Sequence, residues 1–153
     1  MRRFKFLLLI FTLSFSKMNH SHSNIWTHLV LCTKSHHQQM TFEMYGSIKE
    51  AIEIMQAEFP EQQVHHSILQ DHIHLLIKVP GQISVDQLVS HFQLLINECL
   101  KKNGFLPSFD WDTNYHAHSV SLNRLSAEKS LLDRQEYKHK EISLKEELKF
   151  LGM

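Results

Sequence analysis

The segment DHIHLLIKV, Asp71 to Val79, sets two imidazoles one residue apart at the start of an apolar run. Imidazole is the side chain best suited to bind a divalent metal or move a proton near neutrality. In a strand, alternate side chains share a face. His72 and His74 therefore point together, while Ile73, Leu75 and Ile77 point the other way into a core. That spacing suits two ligands of one cation. Alone it is a weak signal, because an H-x-H on a sheet is commonly just a pair of hydrogen-bonded or solvated histidines. The chain also holds 13 histidines, with His65 and His66 close by. A third ligand would change the balance. Gln135 lies in a polar C-terminal stretch that has too few apolar residues to line a core, although a single glutamine is by default a surface residue.

The elements that must hold these groups can be read along the chain. IWTHLVLCT, Ile25 to Thr33, alternates and is rich in strand formers, so it predicts a first strand. Ile48, Ile52, Met55 and Phe59 recur at helical spacing and predict a helix over 45–59, ended by Pro60. QVHHSILQ and DHIHLLIKVP predict two further strands with a turn at Gln70-Asp71. Leu88, Val89, Phe92, Leu95, Ile96 and Cys99 predict a second amphipathic helix, capped by Ser84 and followed by Gly104. NYHAHSVSL predicts a fourth strand. A polar helix capped by Ser126 and a short one capped by Ser143 complete the chain. The order β-α-β-β-α-β predicts an α+β, ferredoxin-like (RRM-like) antiparallel sheet with two helices on one face, plus C-terminal helices. The other sheet face is expected to lie open to a ligand, with His72 and His74 on it.

Composition bounds the reading. The 153 residues make one ordinary domain, 42% apolar and 21% charged. Basic and acidic residues both number 16, so bulk charge gives no support for a nucleic-acid partner. Cys32 and Cys99 are far apart, in no metal spacing, and read as reduced core thiols of a cytoplasmic protein. MRRFKFLLLIFTLSF has the form of a secretory signal but is too short for a confident membrane span, and no good cleavage site follows. Residues 1–17 are read as an over-extended start or signal-like segment, and 18–153 as a single domain with no membrane association.

Four stretches in order, THLVLCTK, DHIHLLIKVPGQISVDQLV, FDWDTNYHAHSVS and RQEYKHKEISLKEELKFL, resemble the small HUH-type tyrosine transposases, the single-strand insertion-sequence enzymes and their REP-associated relatives. The resemblance runs from about Ile25 to Leu151. It implies a homodimer that binds DNA hairpins and cuts a neighbouring single strand. It implies a Mg or Mn site made by His72, His74 and Gln135, with the metal as Lewis acid. It places Lys34, Arg134 and Lys138 against DNA. It also places a nucleophilic tyrosine four residues before the glutamine, one helical turn away. Here that position is Leu131, which has no hydroxyl. Tyr137, the nearest tyrosine, lies six residues on, roughly 240° around a helix at about 100° per residue. Its ordinary reading is a surface side chain. Tyr115 matches a different tyrosine of the family and is given a structural role.

A second departure is HFQLLIN in the second long helix, where family members carry small polar and basic residues. The expectation is a transposase-family DNA-binding protein whose strand cleavage is lost. The alternatives are an active transposase using Tyr137 or a partner subunit, and a histidine-rich metal-binding protein unrelated to DNA.

Overall fold

A computed structural model describes residues 23–34, 40–59, 63–105 and 109–150. The segment read as an over-extended start, 1–17, lies outside them. Four strands, β1 (Ile25–Cys32), β2 (Val64–Ile68), β3 (His72–Val79) and β4 (His116–Val120), form one sheet in the order β2-β3-β1-β4. Every neighbouring pair is antiparallel. This is the ferredoxin-like plan expected from the element order. The two longest strands are central, which places the H-x-H segment mid-sheet rather than at an edge.

The helices α1 (Tyr45–Glu58) and α2 (Val85–Lys102) cover one face. Leu29, Leu31, Ile73, Leu75 and Ile77 meet Ile48, Ile52, Met55, Leu88, Phe92 and Ile96 in a single buried cluster. Strand periodicity of two and helix periodicity of 3.6 together produce this layer. Helix α2 opens with a reciprocal cap. The Gln87 amide N–H donates to Ser84 Oγ at 3.2 Å, and the Ser84 amide N–H donates to Gln87 Oε1 at 2.9 Å. It closes at Gly104, whose φ of 85° is costly for any residue with a Cβ. Bonds from Gly104 N to Lys101 O and from Phe105 N to Leu100 O then satisfy the last carbonyls.

The apolar residues of HFQLLIN are accounted for by this layer. Phe92, Leu95 and Ile96 are core residues, and Leu94 is the exposed one. Three apolar side chains of this stretch, which departs from the small polar and basic residues of the family the chain resembles, are the ordinary buried stripe of α2.

One correction concerns the sheet's other face, which is not open. Helices α3 (Leu125–Leu132), α4 (Gln135–Lys138) and α5 (Leu144–Phe150) lie across it. Trp26, Leu76, Val120 and Leu132 form a small apolar cluster there, and His28, His72, His74, Glu128, Gln135 and Glu147 are buried with it. The polar C-terminal sequence thus covers a polar interior, which is why its apolar periodicity was so weak.

The expected single polar helix is also interrupted. It begins at Leu125, after a 3-10 turn, without a side-chain cap, so Ser126 lies inside it. It then breaks between Leu132 and Gln135. The Arg134 amide bonds the Leu131 carbonyl, and Arg134 Nε donates to the Ser130 carbonyl at 3.0 Å. These bonds take carbonyls that a continuing α-helix would use. Ser143 caps α5 as expected, exchanging bonds with Glu146.

Candidate metal centre

The H-x-H segment starts immediately after a tight turn. The Leu69 amide bonds the His72 carbonyl at 2.9 Å, leaving Gln70 and Asp71 as the turn. The turn is tied down from both sides: the Thr33 and Met40 amides bond the Asp71 and Gln70 carbonyls at 2.9 and 2.6 Å. Asp71 Oδ1 then sits 2.6 Å from His72 Nδ1. A carboxylate there holds the proton on Nδ1 and turns the Nε2 lone pair inward.

His72 and His74 share the face away from α1 and α2, and both are buried. Their ring centroids lie 4.9 Å apart. The C-terminal helices bring two more donors to them. His72 Nε2 is 3.2 Å from His139 Nε2, and His139 Nε2 is 2.8 Å from Glu147 Oε2. His74 Nε2 is 3.5 Å from the same Glu147 oxygen. Four ligand atoms, from His72, His74, His139 and Glu147, lie within 4.8 Å of one another. Ligands of a tetrahedral zinc-class ion stand about 3.3 Å apart, given metal–nitrogen bonds of about 2.0–2.1 Å. The observed spacings are close to that.

Buried polar atoms ordinarily carry hydrogen bonds. His74 Nε2, Glu147 Oε2 and Gln135 Oε1 are buried here without one. His74 Nε2 and Glu147 Oε2 face each other at 3.5 Å, with His139 Nε2 2.8 Å from the same oxygen, and this set of lone pairs fits a cation. Gln135, only 1% exposed, joins this group through Glu147, to which its amide donates at 2.9 Å. His74 is in turn held from behind, with His28 Nε2 2.9 Å from its Nδ1.

The electrostatics favour neutral imidazoles. Burial pushes His74 far below its ordinary value, reinforced by His72 and His28. Burial and then the neighbouring His72 lower His139. Burial raises Glu147, but hydrogen bonds from Lys138 and Gln135, with the Lys138 and His139 charges, outweigh it and leave its carboxyl below the usual range. Neutral rings and an ionised carboxylate are the protonation states that bind metal. A cleft of about 590 Å³, lined by Tyr45, Asp71, His72, Glu136 and His139 among others, leads from solvent to this cluster.

The remaining predicted residues fall outside the cluster of ligand atoms. Leu131 is half-buried near the end of α3, and the break after Leu132 means that Leu131 and Gln135 do not share a continuous helix face. Tyr137 is 74% exposed, with Lys140 Nζ 4.8 Å above its ring. The Tyr115 hydroxyl donates to Asp86 at the start of α2, a structural contact. Lys34 is exposed and pairs with Asp110 at 3.3 Å. Arg134 is exposed, and its Nε donates to the Ser130 carbonyl. Lys138 is turned inward, donating to Glu147 Oε1 at 2.6 Å. Cys32 and Cys99 are buried and unbridged.

Sequence reasoning missed His139 and Glu147. A signal existed for the first: His139 follows Gln135 by four, and its amide bonds the Gln135 carbonyl. No spacing rule reaches Glu147, which arrives by way of a turn.

Comparison with known proteins meets this geometry at the fold and at the sequence. The family profile described as "Transposase IS200 like" matches residues 21–135 of the 153. The chain belongs to the IS200-like transposase family. A REP-associated tyrosine transposase bound to a REP hairpin superposes with a TM-score of 0.62 at 12% identity, covering 80% of this chain and 73% of that one. A Deinococcus radiodurans protein described as a transposase gives 0.57 at 16% identity, covering 76% of this chain and 94% of its own. At these identities the likeness establishes the fold alone. No curated protein matches the sequence. The matched span ends at Gln135, before His139 and Glu147. Among the described residues, no helix is long and apolar enough to cross a membrane.

Proposed function

We propose that this IS200-like transposase is a DNA-binding protein that holds one divalent cation and has lost strand cleavage. Its partners are hairpin and single-stranded DNA, and it works as a cytoplasmic homodimer. Family membership supports the DNA partner, as does the likeness to a transposase whose structure was solved on a REP hairpin.

The observation that carries the loss of cleavage is Leu131. A hydrocarbon stands where the resemblance calls for the nucleophilic hydroxyl. The exposed Tyr137 ring, lying on the solvent side of α4, gives it no replacement.

His72, His74, His139 and Glu147 would hold the ion, with Gln135 bonded to Glu147 behind them. Three imidazoles and a carboxylate favour Mn or Zn over Mg, which prefers oxygen ligands. When bound, the ion would supply Lewis acidity toward a phosphate oxygen. The chain's own contribution is to orient the rings. Asp71 fixes His72, His28 backs His74, and Lys138 with Gln135 holds Glu147 ionised.

The test is a denaturing gel with labelled hairpin-flanked single-stranded DNA and Mn. The expected outcome is DNA binding by anisotropy with no covalent adduct. Leu131→Tyr restores the hydroxyl and tests whether the rest of the cleavage site survives. An adduct formed by the unmodified protein and lost in Tyr137→Phe would overturn the inactive reading.

A further inference from the structure

Beside the first cluster, on the same buried face, a second set of donors converges, of which the first site uses only the Nε2 side of His28. His28 on β1 and His118 on β4 are directly paired across the strands, with ring centroids 4.9 Å apart. Glu128 comes down from α3 and brings Oε2 to 3.4 Å from His28 Nδ1. One ligand atom from each of the three lies within 4.8 Å of the others.

His28 Nδ1, His118 Nδ1 and Glu128 Oε2 are all buried, and none carries a hydrogen bond. His28 is 2% exposed and Glu128 6%. A carboxylate oxygen and two imidazole nitrogens facing one another without a donor are costly to bury. A cation at their centre satisfies all three at once. The 3.4 Å separation of His28 and Glu128 is close to the spacing of about 3.3 Å between ligands of a tetrahedral zinc-class ion. His118 is only half-buried, on the edge strand, and gives an ion a way in.

We propose that His28, His118 and Glu128 form a second divalent-cation site, of zinc-preferring class, which competes with the His72–His74 site. Two nitrogens and one carboxylate oxygen leave a fourth position for water.

Competition follows from one shared proton. His28 Nε2 and His74 Nδ1 are 2.9 Å apart, so two neutral rings share one hydrogen there. If His74 supplies it, His74 Nε2 is free to bind the first ion, and the proton of His28 must sit on Nδ1, blocking the second site. If His28 supplies it, His28 Nδ1 is free, and the proton of His74 sits on Nε2, blocking the first. The pair neither gains nor loses a proton; only the tautomers change. This proposal concerns ion binding alone, so it stands or falls independently of DNA binding and cleavage.

The probe is Co2+, read by its visible d–d bands and by equilibrium dialysis. Wild type is expected to bind one equivalent per chain. The variant His72→Ala/His139→Ala, in which the first site is broken and His74 kept, should still bind one. Adding His118→Ala should remove it, with far-UV circular dichroism unchanged. No Co2+ bound by the double variant, or a full equivalent retained after His118→Ala, would overturn the second site. Two equivalents bound together by wild type would overturn the competition. Should the double variant not fold, His139→Ala alone weakens the first site at a half-buried position. Its Co2+ bands should then change on adding His118→Ala, and unchanged bands count against the proposal.

Discussion

At the level of single residues, the proposed first site would depend on groups that touch no ion. Asp71 is the clearest of them, because its carboxylate sets the tautomer of His72 from the turn that precedes β3. Outer carboxylates of this kind are worth roughly 10–100-fold in metal affinity. Asp71→Asn should therefore weaken Mn or Zn binding by that factor in calorimetry while leaving the fold intact; unchanged affinity would remove Asp71 from the site. His28 carries a second consequence, in the metal-free protein. It faces His74 on β3, His118 on β4, Glu128 on α3, and the Glu147 and Lys138 charges. Burial first, then His118, lowers it from 6.5 to about 4. The unfolded chain thus takes up a proton that the folded chain refuses. The contribution of His28 is fully present above 6.5 and is lost as pH falls toward about 4, on the order of 3 kcal/mol. Urea titrations of the metal-free protein across that window should show the loss, and His28→Gln should flatten it. The pairing of His72 with His74 was legible because strand alternation is a local rule. The partnership of His28 with His118 was not, because it depends on the register between two strands far apart in sequence.

At the level of elements, the C-terminal helices turn an H-x-H segment into a buried cluster. The element order, the capping of α2 by Ser84 and its end at Gly104 could all be read from sequence, since each rests on neighbours within a turn or two. The cover over the second sheet face could not. Its helices are short and polar, and they pack through His139, Gln135 and Glu147 rather than through an apolar stripe. The break after Leu132 was hidden as well, because Asp133 and Arg134 are acceptable helix residues and the chain's turn shows in the bonds from Arg134 to the Leu131 and Ser130 carbonyls. Leu132 is the main apolar anchor of this cover, packed with Trp26, Leu76 and Val120. Leu132→Ala should cost about 2–5 kcal/mol in chemical denaturation. It should also weaken metal binding, because α4 and α5 follow α3 onto the sheet. A large stability loss with unchanged metal affinity would show that α4 and α5 dock independently of α3.

For the whole molecule, charge balance limits how DNA can be held. The chain has 16 basic and 16 acidic residues, so it offers no general field to a polyanion. Of the three cations expected to meet DNA, Lys138 is committed to the buried Glu147, with its amine 2.6 Å from the carboxylate. Turning it outward would strip Glu147 of the donor that helps keep it ionised. Lys34 and Arg134 remain, both exposed and both able to exchange a local partner for a phosphate. Each phosphate neutralised on a single strand contributes about −0.7 to the slope of log affinity against log salt. Two such contacts give about −1.4 per chain. Recognition of a hairpin would then rest on shape and stacking more than on charge. Anisotropy titrations of labelled single-stranded DNA over a range of salt should give a shallow slope near that value, and Lys34→Ala should reduce it by one contact. A slope several times steeper would mean that other basic residues form the DNA surface and that Lys34 and Arg134 were the wrong pair.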